Sequence, residues 1–475
     1  MGKLTGFKEF NRKDFATRPV ENRIKDYKEV HNALPIKDME DQAARCMNCG
    51  TPFCNWGCPL GNLIPDWNDF AYNTDWKKAY DRLSMTNNFP EFTGRICPAL
   101  CEASCTLGVN YDPVSIRELE YMIIEKAFKE GWVKPVPPRN RTGRKVAVVG
   151  SGPSGLSAAV QLNSVGHEVV VFERHDEIGG LLRYGIPDFK LEKSVVRRRI
   201  GIMEEEGVEF RTNVNVGADI TAEELLKEFD AVVLAGGSTI PRNLEVPGRE
   251  LDGIHFAVDY LTLQNKKVSN KNSDHDITAR GKSVLVIGGG DTGSDCIGTA
   301  IRQGAKKVYQ IEIMPKPPVS RDDSMPWPIY PKILKTTTSH EEGCERMWNI
   351  STKWFIGKDG NVNKVHCAKV KWHKNNNGNM SFDEISGSEF DIEADLVLIA
   401  MGFLHPDHEG LLNALSLNFD VRGNIDTSKT HMTNVKGVFS AGDMRTGQSL
   451  VVKAIEDGRI TARYVDEYLM GDTFL

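Results

Sequence analysis

No apolar run in this 475-residue chain approaches the roughly 18 residues that span a bilayer. An excess of positive charge is missing too: 59 Lys and Arg face 65 Asp and Glu, a formal net charge of −6. That balance gives no electrostatic reason to expect a phosphate-backbone partner. The first residues, MGKLTGFKEFNRKDF, lack the apolar stretch of a secretory signal. Gly6 stands where a myristoylation pattern needs Ser or Thr. These absences lead us to expect a soluble, cytoplasmic protein with neither membrane nor nucleic acid among its partners. Its length allows two or three packed domains.

Cysteine is present and unevenly spread. Of ten, seven fall from Cys46 to Cys105. A reducing compartment does not keep disulfides, so crowded cysteines read as metal ligands. Cys46, Cys49, Cys54 and Cys58 follow C-x2-C-x4-C-x3-C and precede Pro59, while Cys97, Cys101 and Cys105 follow C-x3-C-x3-C. Four thiolates also satisfy a structural zinc site, but zinc cannot pass electrons, and a redox partner domain favours iron–sulfur. Cys296, Cys344 and Cys367 are scattered and form no C-x-x-C or C-x4-C pair, so a dithiol–disulfide reductase lacks its redox pair. His340-Glu341 opens like a zinc-protease motif, but Cys stands at position 344. His405 and His408 read as loop residues.

Up to about residue 134 the chain is polar and helix-prone. Ile116, Leu119, Met122, Ile123 and Phe128 recur at helical spacing and Gly131 marks a stop, before the stiff linker KPVPPRN. From Lys145 the grammar is strand, glycine turn, helix, strand, and it returns near residue 282 as KSVLVIGGGDTGSDCIGTAIRQGAKKVYQIEIMP. The recurrence predicts two nucleotide-binding domains. A hairpin is expected between Trp348 and Trp372 around Lys358-Asp359-Gly360, and an exposed loop over residues 373–381.

The first turn runs Gly150, Ser151, Gly152, Pro153, Ser154, Gly155, a G-x-G-x-x-G between strand and helix. Its glycines permit the tight turn, the approach of a pyrophosphate and close helix–strand packing, while the helix N-terminus offers free N–H groups. Glu173 closes the second strand, where an acid accepts from ribose hydroxyls. Downstream, IGGLLRYGIPDFKL supplies Gly180, Leu181, Arg183 and Gly185. Near the C-terminus a strand runs into Gly442 and Asp443, followed by Ser449, Leu450 and a helix; an acid there suits a ribityl chain. The second turn contains Gly288, Gly290, Asp291, Thr292 and Gly293, with Glu312 at the end of the following strand. Glu312 there favours a free 2′-hydroxyl and hence NADH, whereas nearby Lys316 and Arg321 suit a 2′-phosphate, so NADH and NADPH both remain open.

These stretches resemble the two-dinucleotide flavoprotein reductases, whose chain leaves the FAD domain, builds the NAD(P) domain and returns. DAVVLAGGSTIPRNLEVPG, with Ala235 and Gly236, resembles the first crossover, and ADLVLIAMGF the second. The resemblance implies an α/β fold: a helical iron–sulfur domain over 1–140, an FAD-binding domain over 141–262 and 403–475, and an inserted NAD(P)-binding domain over 263–402.

RCMNCGTPFCNWGCPLGNLIPDWND and NNFPEFTGRICPALCEASC closely resemble the cluster module shared by glutamate synthase small subunits and dihydropyrimidine dehydrogenase. By that pattern Cys46, Cys49, Cys54 and Cys105 hold one 4Fe–4S cluster. Cys58, Cys97 and Cys101 hold a second, with a non-cysteine ligand from the following helix. Glu120 is the candidate, and an ordinary helix-surface acid is the alternative. With SVLVIGGGDTGSD, the resemblance to the glutamate synthase small-subunit family spans essentially the whole chain. It implies an NAD(P)H-oxidising relay through FAD and two 4Fe–4S clusters to a large (alpha) subunit, where glutamine and 2-oxoglutarate become glutamate. The chain's own role is then to position cofactors, without an acid or base catalyst. The same relay could serve another partner in pyrimidine reduction, ferredoxin-linked transhydrogenation or sulfur reduction. IMPKPPVSRDDSMPWPIYPK departs from the Arg-Arg pattern of the NADPH-using branch.

Overall fold

Short β-branched runs buried along their whole length pair only in parallel sheets covered on both faces, and the chain builds two of them. In the computed structural model, which describes residues 2–271, 276–375 and 379–475, Val146, Ala147 and Val148 are fully buried. Their strand, Lys145–Val149, is the centre of a five-stranded parallel sheet ordered Val438–Ser440, Ala231–Leu234, Lys145–Val149, Glu168–Phe172, Glu209–Arg211. The edge strand Val438–Ser440 comes from near the C-terminus, so the chain leaves this sheet after Leu234 and returns to complete it.

The excursion contains the second five-stranded parallel sheet, ordered Glu345–Trp348, Lys307–Glu312, Ser283–Ile287, Leu396–Ile399, Ile254–Phe256. The mixed α/β architecture and the nesting agree with the sequence reading. The two crossovers lie side by side: Arg242 N–H donates to the Gly402 carbonyl at 2.9 Å and Leu404 N–H to that of Ile240 at 2.8 Å. Ile254–Phe256 and the helix Ala257–Val268 pack on the second sheet, so a division at residue 262 would cut a helix. We therefore propose that the second domain begins in the stretch 241–253.

An antiparallel sheet of Ile350–Lys358, Asn361–Lys374, Met380–Glu384 and Phe390–Glu393 lies beside it. The expected hairpin is there, closed by Asp359 and Gly360 with φ of 52° and 81°, the paired positive values of a two-residue turn. The loop expected over 373–381 is strand at both its ends. His373 pairs with Ser381 and Lys374 with Met380, while residues 376–378 lie outside the described part. Trp372 anchors these polar arms, packing on Phe382 and donating its indole N–H to the Ile313 carbonyl at 2.8 Å. That contact is invisible in a run of Asn and Lys.

The cysteine region is a bundle of short helices, chiefly Ile36–Ala44, Phe53–Gly57, Ile64–Tyr72, Trp76–Ser84, Pro90–Ile96, Leu100–Ala103 and Ile116–Lys129. Trp67, Leu83, Leu119 and Ile123 form its core. The last helix stops as expected, with Gly131 at φ 67°. Among the described residues no helix is long and apolar enough to cross a membrane.

Buried ion pairs fasten this bundle to both sheets. Glu342 Oε1 accepts from Arg23 Nε at 2.7 Å and from Arg302 Nη2 at 3.0 Å, with 0% of the Glu342 and Arg302 side chains exposed. Arg302 Nε also donates to the Asp26 carbonyl and its guanidinium stacks on Phe189. On the other side Arg199 forks onto Glu91 at 2.6 and 3.1 Å. Removing one partner of a buried pair strands the other, so Glu342→Ala should cost about 3–5 kcal/mol. Denaturant unfolding should show the first transition moved to markedly lower midpoint; an unmoved transition would contradict the assigned burial.

Candidate cofactor and cluster sites

The two glycine turns are built alike, down to which atoms crowd them. Gly150 (φ 107°) and Gly288 (φ 125°) back onto the carbonyls of Ala235 and Ala400, where an added Cβ would lie 2.5 and 2.3 Å away. Gly155 and Gly293 press against the carbonyls of Gly150 and Gly288. The middle glycines, Gly152 and Gly290, face open space at the N-termini of the helices Pro153–Ser164 and Asp291–Arg302. That is the shape a pyrophosphate needs: tight where the backbone packs, open where the phosphate would rest on free N–H groups.

Each turn is braced by the acid that closes the next strand. Glu173, buried, accepts from the Ser151 hydroxyl and backbone and from His175 N–H at 2.9 Å. Glu312 accepts from Gly289 N–H at 2.6 Å and Met314 N–H at 3.1 Å. Thr292 lies beside Asp291 in the first turn of the second helix. Arg321 does not stand beside Glu312 as a phosphate ligand. Its guanidinium donates to the carbonyls of Met325, Ile329 and Ala103. The basic neighbours on the Glu312 side are Lys316 and Arg346, which flank the ring of Trp348, the residue paired with Glu312. Sequence reasoning missed Arg346, because only the parallel pairing of two strands brings it there.

Around the first turn the remaining expected residues converge at the C-terminal ends of the strands. Gly180 lies against Gly152, and Leu181, Arg183 and Gly185 follow in the short helix Leu181–Tyr184 and its end. Arg183 is buried, pairs with Glu177 at 2.8 Å and keeps Nη1 without a hydrogen bond. Ala235 ends its strand and Gly236 N–H meets the Met444 sulfur at 2.9 Å. Gly442 packs on Ser154, and Leu450 begins the helix Val451–Met470, which lies along Pro153–Ser164. Gly458 makes that packing possible, since a Cβ there would sit 2.2 Å from the Ser154 carbonyl. Nothing local in the sequence marks it.

Asp443 accepts from the Ser449 hydroxyl at 3.0 Å, yet burial pushes its carboxyl from an ordinary 3.8 up to about 6. A raised carboxyl holds its proton more tightly folded than unfolded, so its contribution to stability is full below pH 3.8 and lost as pH rises through about 6. Asp443→Asn should therefore flatten the stability decline between those values in protein freed of flavin. Parallel melting curves for variant and parent across that range would refute the assignment.

The cysteines separate into two groups. Cys46, Cys49, Cys54 and Cys105 line one cavity. Cys58, Cys97, Cys101 and Glu120 line another. Ile64 and Ile116 line both and form the partition between them. Among the described residues no three Cys, His, Asp or Glu side chains converge tightly enough to share a single metal ion. Thiols gathered around one cavity are the donor set of a 4Fe–4S cluster. Burial pushes the thiols up, Cys58 to about 12 and Cys97 to about 11, so a thiolate here needs a cationic partner. Glu120 is no surface acid: 5% exposed, it is pushed up to about 7 by burial despite hydrogen bonds from Thr93 at 2.6 Å and Asn87 at 2.7 Å. Both bonds fall on Oε1, leaving Oε2 as the oxygen for a further ligand. Cys296 and Cys367 are buried elsewhere and, with Cys344, unpaired.

Comparison with known proteins assigns these sites to a family. Residues 23–132 match the model of dihydropyrimidine dehydrogenase domain II, 4Fe-4S cluster, and residues 115–227 and 144–458 match that of pyridine nucleotide-disulphide oxidoreductases. A glutamate synthase [NADPH] small chain of Mycobacterium tuberculosis is 53% identical over 463 residues, covering 96% of this chain and 94% of its own. The chain belongs to the glutamate synthase small-chain family. The Bacillus subtilis small chain [NADPH] is 47% identical, with both chains covered completely. Glutamate synthase [NADH] of Schizosaccharomyces pombe is 47% identical over all of this chain but only 23% of its own length. FprA of Mycobacterium tuberculosis, solved with NADPH, shares the fold at 20% identity and a TM-score of 0.54, over 69% of this chain and 85% of its own. The protein is thus an NAD(P)H-dependent oxidoreductase that uses FAD and 4Fe–4S chemistry, as its sequence led us to expect.

Proposed function

We propose that this chain is the electron-input subunit of glutamate synthase, oxidising NAD(P)H through FAD and passing electrons by two 4Fe–4S clusters to a large subunit that makes L-glutamate from L-glutamine and 2-oxoglutarate. The observation that carries this reading is the division of seven thiols and Glu120 between two cavities with a shared wall. Bound flavin supplies the exchange between two-electron and one-electron chemistry, and clusters carry single electrons.

The chain's residues hold and orient. Gly150, Gly152, Pro153, Ser154 and Gly155 would receive the FAD pyrophosphate, with Glu173 at the ribose. Gly180, Leu181, Arg183, Gly185, Ala235, Gly236, Gly442, Asp443, Ser449 and Leu450 would surround the rest of the flavin. Gly288, Gly290, Asp291, Thr292 and Gly293 would receive the nicotinamide dinucleotide, with Glu312 at its adenosine ribose. Cys46, Cys49, Cys54 and Cys105 would hold one cluster, and Cys58, Cys97, Cys101 and Glu120 the other. The second of these cavities is also lined by Val452, two residues beyond Leu450, so it is the one nearer the flavin. We infer the order flavin, Glu120-side cluster, Cys46-side cluster, large subunit.

Anaerobic capture from the native cells, with assay of NADH and NADPH oxidation, tests the reading. Recovery of a large glutamine-hydrolysing subunit and glutamine-dependent glutamate formation are expected. Nicotinamide oxidation indifferent to glutamine, or a different partner, would overturn the glutamate synthase assignment. Replacing Glu120 by Ala should alter the electron paramagnetic resonance (EPR) signal of one cluster and leave the other; an unchanged spectrum would remove it from the ligand set.

A further inference from the structure

Trp67 and Asn68 sit side by side in the helix Ile64–Tyr72, and both are completely buried. Consecutive helical residues project about 100° apart, so neighbours on one helix can serve opposite sides of it. Trp67 lines the cavity of Cys58, Cys97, Cys101 and Glu120. Asn68 lines that of Cys46, Cys49, Cys54 and Cys105. Among the described residues the Trp67 indole Nε1 makes no hydrogen bond, nor do the Asn68 Nδ2 and Oδ1. Asn68 lies beside the Cys46 sulfur without reaching hydrogen-bond geometry. Buried donors are almost always satisfied, and two adjacent exceptions call for a shared explanation.

We propose that Trp67 and Asn68 are potential-tuning residues, each donating an N–H hydrogen bond to the sulfurs of a different cluster. The inference rests on the two-cluster reading above. Hydrogen bonds to cluster sulfur stabilise the more negative, reduced form and raise its reduction potential. One helix thereby sets the potentials of both relay stations, from two residues that are not themselves ligands.

Trp67→Phe keeps most of the ring and deletes the N–H; Asn68→Leu keeps the shape and deletes the amide. Potentiometric EPR titration of each holoenzyme, with iron content measured alongside, is the test. Trp67→Phe should shift one signal's midpoint to more negative potential and leave the other unmoved, and Asn68→Leu should do the converse. Two intact signals with unmoved midpoints in the variants would overturn the inference alone, whereas iron and signals for fewer than two clusters in the unaltered holoenzyme would strike the reading beneath it. Should a variant lose its cluster, the unaltered holoenzyme labelled with indole-¹⁵N tryptophan decides for Trp67. Coupling of one ¹⁵N nucleus to one reduced cluster is expected, and no coupling would overturn the assignment.

Discussion

The arrangement depends on one buried carboxylate. Glu342 is fully enclosed and pairs with both Arg23, from the N-terminal segment, and Arg302, from the helix behind the second glycine turn, while Glu341 supplies Arg23 with a second carboxylate. Such a contact is costly to desolvate and gains little net stability over a well-packed apolar one. What it imposes is geometry, because two guanidiniums and one carboxylate satisfy each other in very few ways. The segment that carries Arg23 goes on to Val30, whose N–H donates to the Phe189 carbonyl at 3.0 Å, and to Glu29, which pairs with Arg95 at 2.6 Å. A short stretch therefore ties nicotinamide-side sheet, flavin-side loop and cysteine bundle together. Electron transfer between cofactors held by three parts of a chain requires that fixed relation.

A second tie comes from the stretch after Glu312. Ser104 donates to the Pro328 carbonyl at 2.8 Å, Tyr330 to that of Pro98 at 3.3 Å, and Trp327 packs on Phe53 at 4.5 Å. The sequence there, with its Pro, Trp and Arg321, reads as a cofactor-selectivity segment. In the fold it is a strap over the cysteine loops, and Arg321 is engaged in holding it. On the Glu312 side Lys316, from the start of this stretch, is joined at the ring of Trp348 by Arg346 from the neighbouring strand. One segment thus runs from the strand that ends in Glu312 to the loops that carry the cysteines.

The glycine turns, Glu173, Glu312 and the hairpin at Asp359-Gly360 were legible because each is a local device with fixed spacing along the chain. Gly458, Arg346, Trp67 and Asn68 were not, since their meaning lies in contacts with residues far away in sequence. Strand Met380–Glu384 escaped for a related reason: its partner strand, more than its own polar composition, decides its conformation. The start proposed for the second domain, in 241–253, differs from the residue 262 that the resemblance implied, because the sequence does not reveal which sheet the three-residue strand Ile254–Phe256 joins.

The cysteine run Cys46–Cys58 is the case where spacing alone leaves the outcome undetermined. Cys54 and Cys58 are four residues apart and would share a face had the helix continued. The helix Phe53–Gly57 instead ends at Cys58, whose backbone turns extended with φ −87° and ψ 121°. That single turn sends Cys58 toward Cys97 and Cys101, while Cys54 stays with Cys46 and Cys49, and Cys105 returns to complete the first group. Interleaving two ligand sets along one chain forces their cavities to be neighbours. Among the described residues Ile64 and Ile116 line both cavities. The adjacency of the two cavities follows from the course of the backbone at Cys58, which separates two cysteines four residues apart.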